Sequence, residues 1–281
     1  MRTLTSSFSH INLDNKQKNM LGKNWANPIP LVDRLRSTPR YVESYDELVK
    51  DIAQILHRNR NLTLYYRGQT SDYKEDGKTT LLPSIYRKKM GEKKISLKER
   101  FEILYEKSIK LKSLFRENSF PLAGTSMLYK YPEIAWSLLQ HYEACETPLL
   151  DLTHSLHVAC SFAFDKNKNK TGIVYVIGMP WQSDAIGYNT YEELVNIRLL
   201  SVCPPQAQRP FFQEGYLAGP FPNYQLDNID KVPQFDFGRR LIAKFEIPTN
   251  KPSFWGEGFS KIPEDKLYQP VDTIKKLCEK L

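Results

Sequence analysis

Residues 138–164 read Leu-Leu-Gln-His-Tyr-Glu-Ala-Cys-Glu-Thr-Pro-Leu-Leu-Asp-Leu-Thr-His-Ser-Leu-His-Val-Ala-Cys-Ser-Phe-Ala-Phe, a high density of chemistry for one segment. His141, His154, His157, Cys145, Cys160, Asp151 and Thr153 all lie between apolar runs. Leu149, Leu150 and Leu152 predict a short apolar strand, with Asp151 and Thr153 at its end where polar groups can face a cleft. A helix is expected next. Thr153 or Ser155 can cap it, and Val158, Ala159, Phe162 and Ala163 share one buried face. Where a strand end feeds a helix start, unpaired backbone N–H groups point at whatever binds there. The same pattern also suits a plain buried corner between a strand and a helix.

Outward from this stretch the chain alternates helices and strands. On the N-terminal side, Pro132–Tyr142 predicts a helix that buries Ile134, Ala135, Leu138 and Leu139 and delivers Gln140 and His141 to the corner. Ser44 with Glu47, and Ser96 with Glu99, have the spacing of capping boxes. The first opens a helix to about His57 with Leu48, Val49, Ile52, Ile55 and Leu56 on one face. The second opens a long amphipathic helix through Phe101, Leu104, Tyr105, Leu111, Leu114 and Phe115. Leu62–Tyr66 alternates as a strand, which places Arg67 at its terminus beside Gly68. Arg87, Lys88, Lys89, Lys93 and Lys94 form a basic run, either a solvated loop or a rim that contacts phosphate. Residues 1–40 read as an N-terminal arm or extended packing segment, and 41–281 as the domain proper.

On the C-terminal side, Asp165–Lys170 is a charged turn and Ile173–Ile177 a continuous apolar run of the kind found in central strands. Thr190 and Glu193 are expected to cap a short helix. Arg209–Leu217 reads as a strand bulged at Gly215, Leu241–Ile247 as an alternating strand, and Leu267–Leu281 as a basic closing helix. No internal repeat is visible. The order suits a single α+β domain with a central sheet.

Composition narrows the class. The 281 residues are 41% hydrophobic, enough for a full core, and contain no 18-residue apolar run, so no membrane span is expected. Met1–Met20 lacks the apolar core of a secretory signal, and the four cysteines (145, 160, 203 and 278) show no paired metal spacing, so a cytoplasmic protein with reduced thiols is expected. Lys plus Arg number 40 against 32 Asp plus Glu, an excess of 8 that favours an anionic partner such as nucleic acid, or an acidic protein. Aromatic residues at 12%, with 16 Tyr, argue against disorder and offer stacking surfaces for bases.

Several signatures are absent: a P-loop, a Gly-rich dinucleotide fingerprint, His-Glu-x-x-His and Gly-x-Ser-x-Gly. His154 and His157 lie three apart, yet nothing at ligand spacing completes a metal site, so no metal is expected. Three polar sets remain: Arg67 at one strand end, Asp151 with Thr153 at another, and Gln213 with Glu214 on a third. An Arg beside Gly can fork onto a phosphate or ribose, or pair with a carboxylate such as Asp151. Asp151, inside an apolar run, needs a partner to be buried, and Arg is the expected one.

Tyr66-Arg67-Gly68-Gln69, Leu82-Pro83-Ser84-Ile85-Tyr86-Arg87, Gln140-His141-Tyr142, Leu149-Leu150-Asp151-Leu152-Thr153, Ala159 with Phe162-Ala163, and Arg209 with Gln213 and Gly215 resemble, in that order, the FRG domain family. The family takes its name from a Phe/Tyr-Arg-Gly motif, here Tyr66-Arg67-Gly68, and the resemblance covers roughly residues 44–275. The chain departs from the family pattern around Leu-Leu-Asp, carrying Glu146, Pro148 and Leu152 where Pro, Arg and Trp are usual. The motif order is similar to that of ADP-ribosyltransferases. That resemblance implies a transferase-like fold with NAD as substrate. Tyr66, Arg67, Gly68, His141, Asp151 and Thr153 would hold the cofactor, Arg67 gripping its phosphate or ribose and Thr153 bracing the first motif. Gln213 or Glu214 would stand where the transferase glutamate orients the ribose 2′-hydroxyl. The resemblance to FRG proteins also implies a toxin or phage-defence effector with an antitoxin or chaperone partner. A non-catalytic nucleotide- or partner-binding module, and a nuclease using His141 with Asp151, are the alternatives.

Overall fold

The computed structural model describes residues 1–4, 30–87, 95–118, 125–225 and 229–281. Lys88, Lys89, Lys93 and Lys94 of the basic run lie outside the described residues, as does most of the expected arm.

The element that orders the rest is strand β6 (Thr171–Met179), buried along nearly its whole length. Its run of Ile, Val and Tyr carries no charge, so both faces can be covered by apolar groups. It sits inside an eight-stranded mixed sheet. Following the sheet across, β1 (Arg40–Tyr41) pairs parallel with β10 (Leu241–Pro248), β10 pairs antiparallel with β6, and β6 pairs antiparallel with β2 (Thr63–Gln69). Beyond β2 come β5 (Leu150–Thr153), β9 (Gly215–Pro220), β8 (Leu194–Arg198) and β7 (Ile186–Asn189), all antiparallel. A separate two-stranded ribbon joins β3 (Lys74–Glu75) to β4 (Lys78–Thr79). The chain is thus a mixed α+β domain with a large central sheet. Among the described residues, no helix is long and apolar enough to cross a membrane.

Helices cover one face in two groups. Helix α2 (Tyr45–Arg58) and helix α6 (Leu156–Phe164) pack Leu48, Ile52, Ile55, Ala159 and Ala163 against Leu64, Val174, Val176 and Phe245. Helix α3 (Leu97–Glu117) and helix α5 (Pro132–His141) pack Phe101, Leu104, Ile134 and Leu138 against Val195, Ile197 and Leu217. The opposite face carries Tyr65, Tyr175, Ile177, Leu150, Leu152 and Ala218 beneath Met1, Leu81 and Phe237. Gly68 and Gly172 let α6 settle directly on β2 and β6, since a Cβ at either would meet the backbone of Ala163 or Ala159.

Both expected helix starts are present. Ser44 accepts from the Glu47 amide and Ser96 from the Glu99 amide, and Glu99 returns the bond to Ser96. Ser155 caps α6 through the Val158 amide, while the Thr153 hydroxyl accepts from the Ser155 amide. The buried face of α2 is narrower than its sequence suggests: Val49 and Leu56 are exposed, and Asp51 is buried instead because it holds Arg40 at 2.6 Å.

Other expectations are corrected. The first strand does not end at Tyr66 but runs to Gln69, because β6 pairs with every residue from Thr63 onward, so Arg67 is a strand-interior residue. Residues 190–193 form the turn of the β7–β8 hairpin, not a helix: the Asn189 side chain takes the Glu192 amide and Glu193 adopts a positive φ of 55°. Arg209 lies in a short helix α8 (Gln208–Phe212), and the strand starts only at Gly215. Pro210 fits the first turn of that helix, where its missing N–H is harmless. The expected closing helix is two short ones, α9 (Glu264–Leu267) and α10 (Thr273–Cys278). Strand β10 is buried on both faces, with Lys244 paired inside with Asp72 at 3.1 Å and donating to the Thr79 hydroxyl at 2.7 Å. Residues 1–4 and 30–40 pack on the body: Met1 is buried, and Arg34 of helix α1 (Leu31–Arg36) is fully buried with its Nη2 on the Leu4 carbonyl.

His154 lies between the rings of Tyr65 and Tyr216, with centroids at 4.1 and 4.2 Å. Burial, helped by nearby Arg198, pushes its imidazole down to about 4. The unfolded chain therefore takes up a proton first as pH falls from about 6.5 towards about 4, and stability drops across that window. Discounted for partial exposure, the drop is on the order of 1–2 kcal/mol. His154→Phe should flatten the urea midpoint between pH 7 and pH 4.5 relative to the parent; an identical pH slope in both proteins would refute the assignment.

Candidate active site

The sheet is continuous except at one line. Strand β5 pairs with β9 at all four of its residues, yet with β2 only at Tyr66 opposite Thr153. Beyond that rung the two strands part, and a cleft of about 360 Å3 opens at the gap, where the two helix groups also separate. That volume is on the scale of small-molecule sites.

Side chains alternate across a sheet, so Asp151, two residues from Thr153, shares the helix-covered face with Tyr66, whereas Arg67 belongs to the other. They meet through the gap. Arg67 Nη1 donates to the Asp151 backbone carbonyl at 2.6 Å, replacing a ladder bond that the parted strands do not make. The expected Arg67–Asp151 carboxylate pair is therefore not what forms. The carboxylate instead accepts from Gln140 Nε2 at 2.8 Å and contacts His141 Nδ1 at 3.1 Å, both from the end of α5. Burial pushes the Asp151 carboxyl up, but the hydrogen bonds and positive charge of His141 and Arg67, with Gln140, outweigh it and lower the group to about 2. Its side chain remains a third exposed to the cleft, so the carboxylate is both ionised and reachable.

Three guanidinium groups line this space: Arg67, Arg87 and Arg209. Burial lowers the pKa of Arg67, partly offset by Asp151, and its Nε is buried without a partner among the described residues. Arg87 donates through Nε to the Leu82 carbonyl, leaving its two terminal nitrogens without a partner among the described residues. Arg209 is held on three sides. Its amide donates to Asp272, its guanidinium lies 4.7 Å from the Tyr268 ring, and Nη2 binds Glu143 Oε1 at 2.9 Å. Such forked, partly dehydrated cations suit phosphate or carboxylate ligands.

All but one of the residues expected at the site line the cleft: Tyr66, Arg67, Gly68, His141, Asp151, Thr153 and Gln213. Gln213 is buried and donates its amide to the Leu267 carbonyl, so it anchors α9 as well. Glu214 is exposed, in a left-handed conformation with φ 44°, and is not part of the lining. His141 Nε2 is buried without a partner among the described residues, beside Gly215, which suits an orienting role for this ring better than proton transfer in the cleft. His154 and His157 are engaged elsewhere, His157 with the Ser260 carbonyl at 2.7 Å, and among the described residues no group of three or more His, Cys, Asp or Glu is placed to hold a metal.

Sequence reasoning did not single out Glu143 or Tyr268. Glu143 follows α5 as an unremarkable polar residue, and Tyr268 comes from near the C-terminus, so neither carries a local signal.

No curated protein and no solved structure matches the chain. A family model does, and it spans β2 through the start of β6, leaving Arg209, Gln213, Gly215 and Tyr268 as a wall supplied from outside that span. The matching model is that of the FRG domain, and the match runs over residues 63–172 of this chain.

Proposed function

We propose that the cleft binds NAD and transfers its ADP-ribose to a macromolecule. The observation that carries the reading is the convergence of three arginines with one ionised carboxylate, Asp151, at the parting of β2 and β5. Arginines match a pyrophosphate in charge and geometry. In the transfer, the bond between ribose C1′ and the nicotinamide nitrogen breaks and its electron pair leaves with nicotinamide, neutralising the ring. Asp151 faces the positive charge that develops on the sugar, and Gln140 and His141 keep its carboxylate fixed. A nucleophile of the acceptor then bonds to C1′ and gives up its proton. The order of Arg67, the Asp151–Thr153 corner and the Gln213 segment along the chain supports the same reading by its similarity to ADP-ribosyltransferases. The excess of 8 positive charges favours an anionic acceptor such as nucleic acid.

One observation favours a second reading. Glu214 is exposed and outside the lining of the cleft and Gln213 is engaged with Leu267, so the carboxylate expected at that place is not in the site. Without chemistry, the same arginines would make a nucleotide-binding module.

Label transfer separates the two. NAD labelled in its adenylate half, incubated with the protein and with RNA, DNA or cell protein, should leave label on one pool. Arg67→Met should weaken NAD binding roughly tenfold, the size of a lost charge-assisted hydrogen bond. Binding of NAD with no label on any pool would leave the module standing; no binding would end both readings.

A further inference from the structure

The cleft contains its own anion. Glu143 sits just past the end of α5 with φ 58°, in the left-handed region where glycine or asparagine is favoured at a helix end. Its amide donates to the Gln140 carbonyl and that of Ala144 to the Leu139 carbonyl, so the helix terminates as if a glycine stood there. A glutamate in this conformation is strained. What it supplies is a carboxylate on Arg209 Nη2, at 2.9 Å.

The two partners are unequal. Arg209 is 10% exposed and fixed by Asp272, Tyr268 and Tyr142, whereas the Glu143 side chain is 74% exposed and free to swing into solvent. If an anion arrives, Glu143 is the group that moves. Arg67 and Arg87, by contrast, have no carboxylate side chain bonded to them among the described residues; burial lowers the pKa of both, nearby Asp151 raises both in part, and the charge of Arg87 lowers Arg67 further, which places the two guanidinium groups within electrostatic reach of one another.

We propose that Glu143 occupies Arg209 in place of a second phosphoryl group, so that the site selects ligands carrying two linked phosphates and is held partly closed to them by its own carboxylate. The proposal rests on the nucleotide reading above and adds which phosphate each arginine takes. Arg67 with Arg87 receives one phosphoryl, and Arg209 receives the other once Glu143 is displaced. A monophosphate is satisfied at the first pair and leaves the Glu143–Arg209 contact intact.

The test is titration calorimetry with ADP-ribose and with AMP. Glu143→Gln should tighten ADP-ribose about two- to fivefold, the scale of a partly exposed ion pair, and leave AMP unchanged. Glu143→Gly should give the same selective tightening with a melting temperature equal to or above the parent's, because it also relieves the positive φ. Arg209→Met should bring ADP-ribose down to the affinity of AMP. Equal tightening of both ligands, or no change in either, overturns the proposal while leaving label transfer from NAD, and thus the nucleotide reading, untouched. Failure of the parent protein to bind either nucleotide overturns both.

Discussion

Gly68→Ala should lose at least about 4 kcal/mol of folding stability and accumulate as insoluble or unfolded protein. The added Cβ would sit 1.8 Å from the Ala159 carbonyl oxygen, 2.8 Å from its carbon and 2.9 Å from the Ala163 amide nitrogen. These atoms are backbone of α6, so no side-chain rotation relieves the clash. Helix or strand has to move, and both are tied to the core, the helix through Ala159 and Ala163 and the strand through Leu64 and Tyr66. With a domain stability on the order of 5–15 kcal/mol, a loss of this size removes most of the folded state at 37 °C. Urea unfolding monitored by fluorescence measures it. A Gly68→Ala protein with the parent's midpoint would mean that α6 does not lie against β2, and the cleft geometry would fall with it. The Tyr-Arg-Gly motif thus has two separable parts: Arg67 serves the cleft, and Gly68 seats the helix that forms the wall behind it.

Asp151→Asn should reduce transfer from NAD by on the order of 10²–10³, the range found when one preorganised electrostatic group is removed from a transition state. The amide retains the shape of the carboxylate: one oxygen can still accept from Gln140, while its nitrogen can only donate, to a His141 Nδ1 that carries no proton. The pH dependence has a definite sign. A carboxyl lowered to about 2 contributes fully above its ordinary value near 4 and is lost only as pH falls through about 2, so Asp151 places no acid limb on activity between pH 4 and pH 8. Single-turnover release of nicotinamide across that range is the measurement. Full activity of the Asn variant would remove Asp151 from the chemistry and return attention to Glu214.

Much of this cleft was legible because its residues sit where the pattern of the chain changes. Arg67 beside Gly68, and Asp151 and Thr153 after three leucines, break apolar runs with polar groups that need partners, and such breaks mark sites. The two capping boxes and the apolar run of β6 were equally plain, since each depends on near neighbours in sequence. What escaped depends on distant ones. Whether Arg67 meets the carbonyl or the carboxylate of Asp151 is decided by how far β2 and β5 part, a property of the whole sheet. Phe211, Phe212, Tyr216 and Leu217 have strand-forming side chains, and only Pro210 hints that the first two belong to a helix. Thr190 and Glu193 carry the spacing of a cap, but the Asn189 side chain turns the same residues into a hairpin.

The single rung between Tyr66 and Thr153 has a mechanical consequence. One half of the sheet, β1, β10, β6 and β2, is stitched together by its own ladder, and so is the other, β5, β9, β8 and β7; the backbone joins them by one pair only, and side chains supply the rest: the grip of Arg67 on a carbonyl, Asn196 on the Tyr65 hydroxyl and the packing of Tyr65 on Tyr216. The molecule has a fracture line where most sheets are strongest. A ligand gripped from both banks acts there as a rivet, so that filling the cleft and stiffening the protein are a single event.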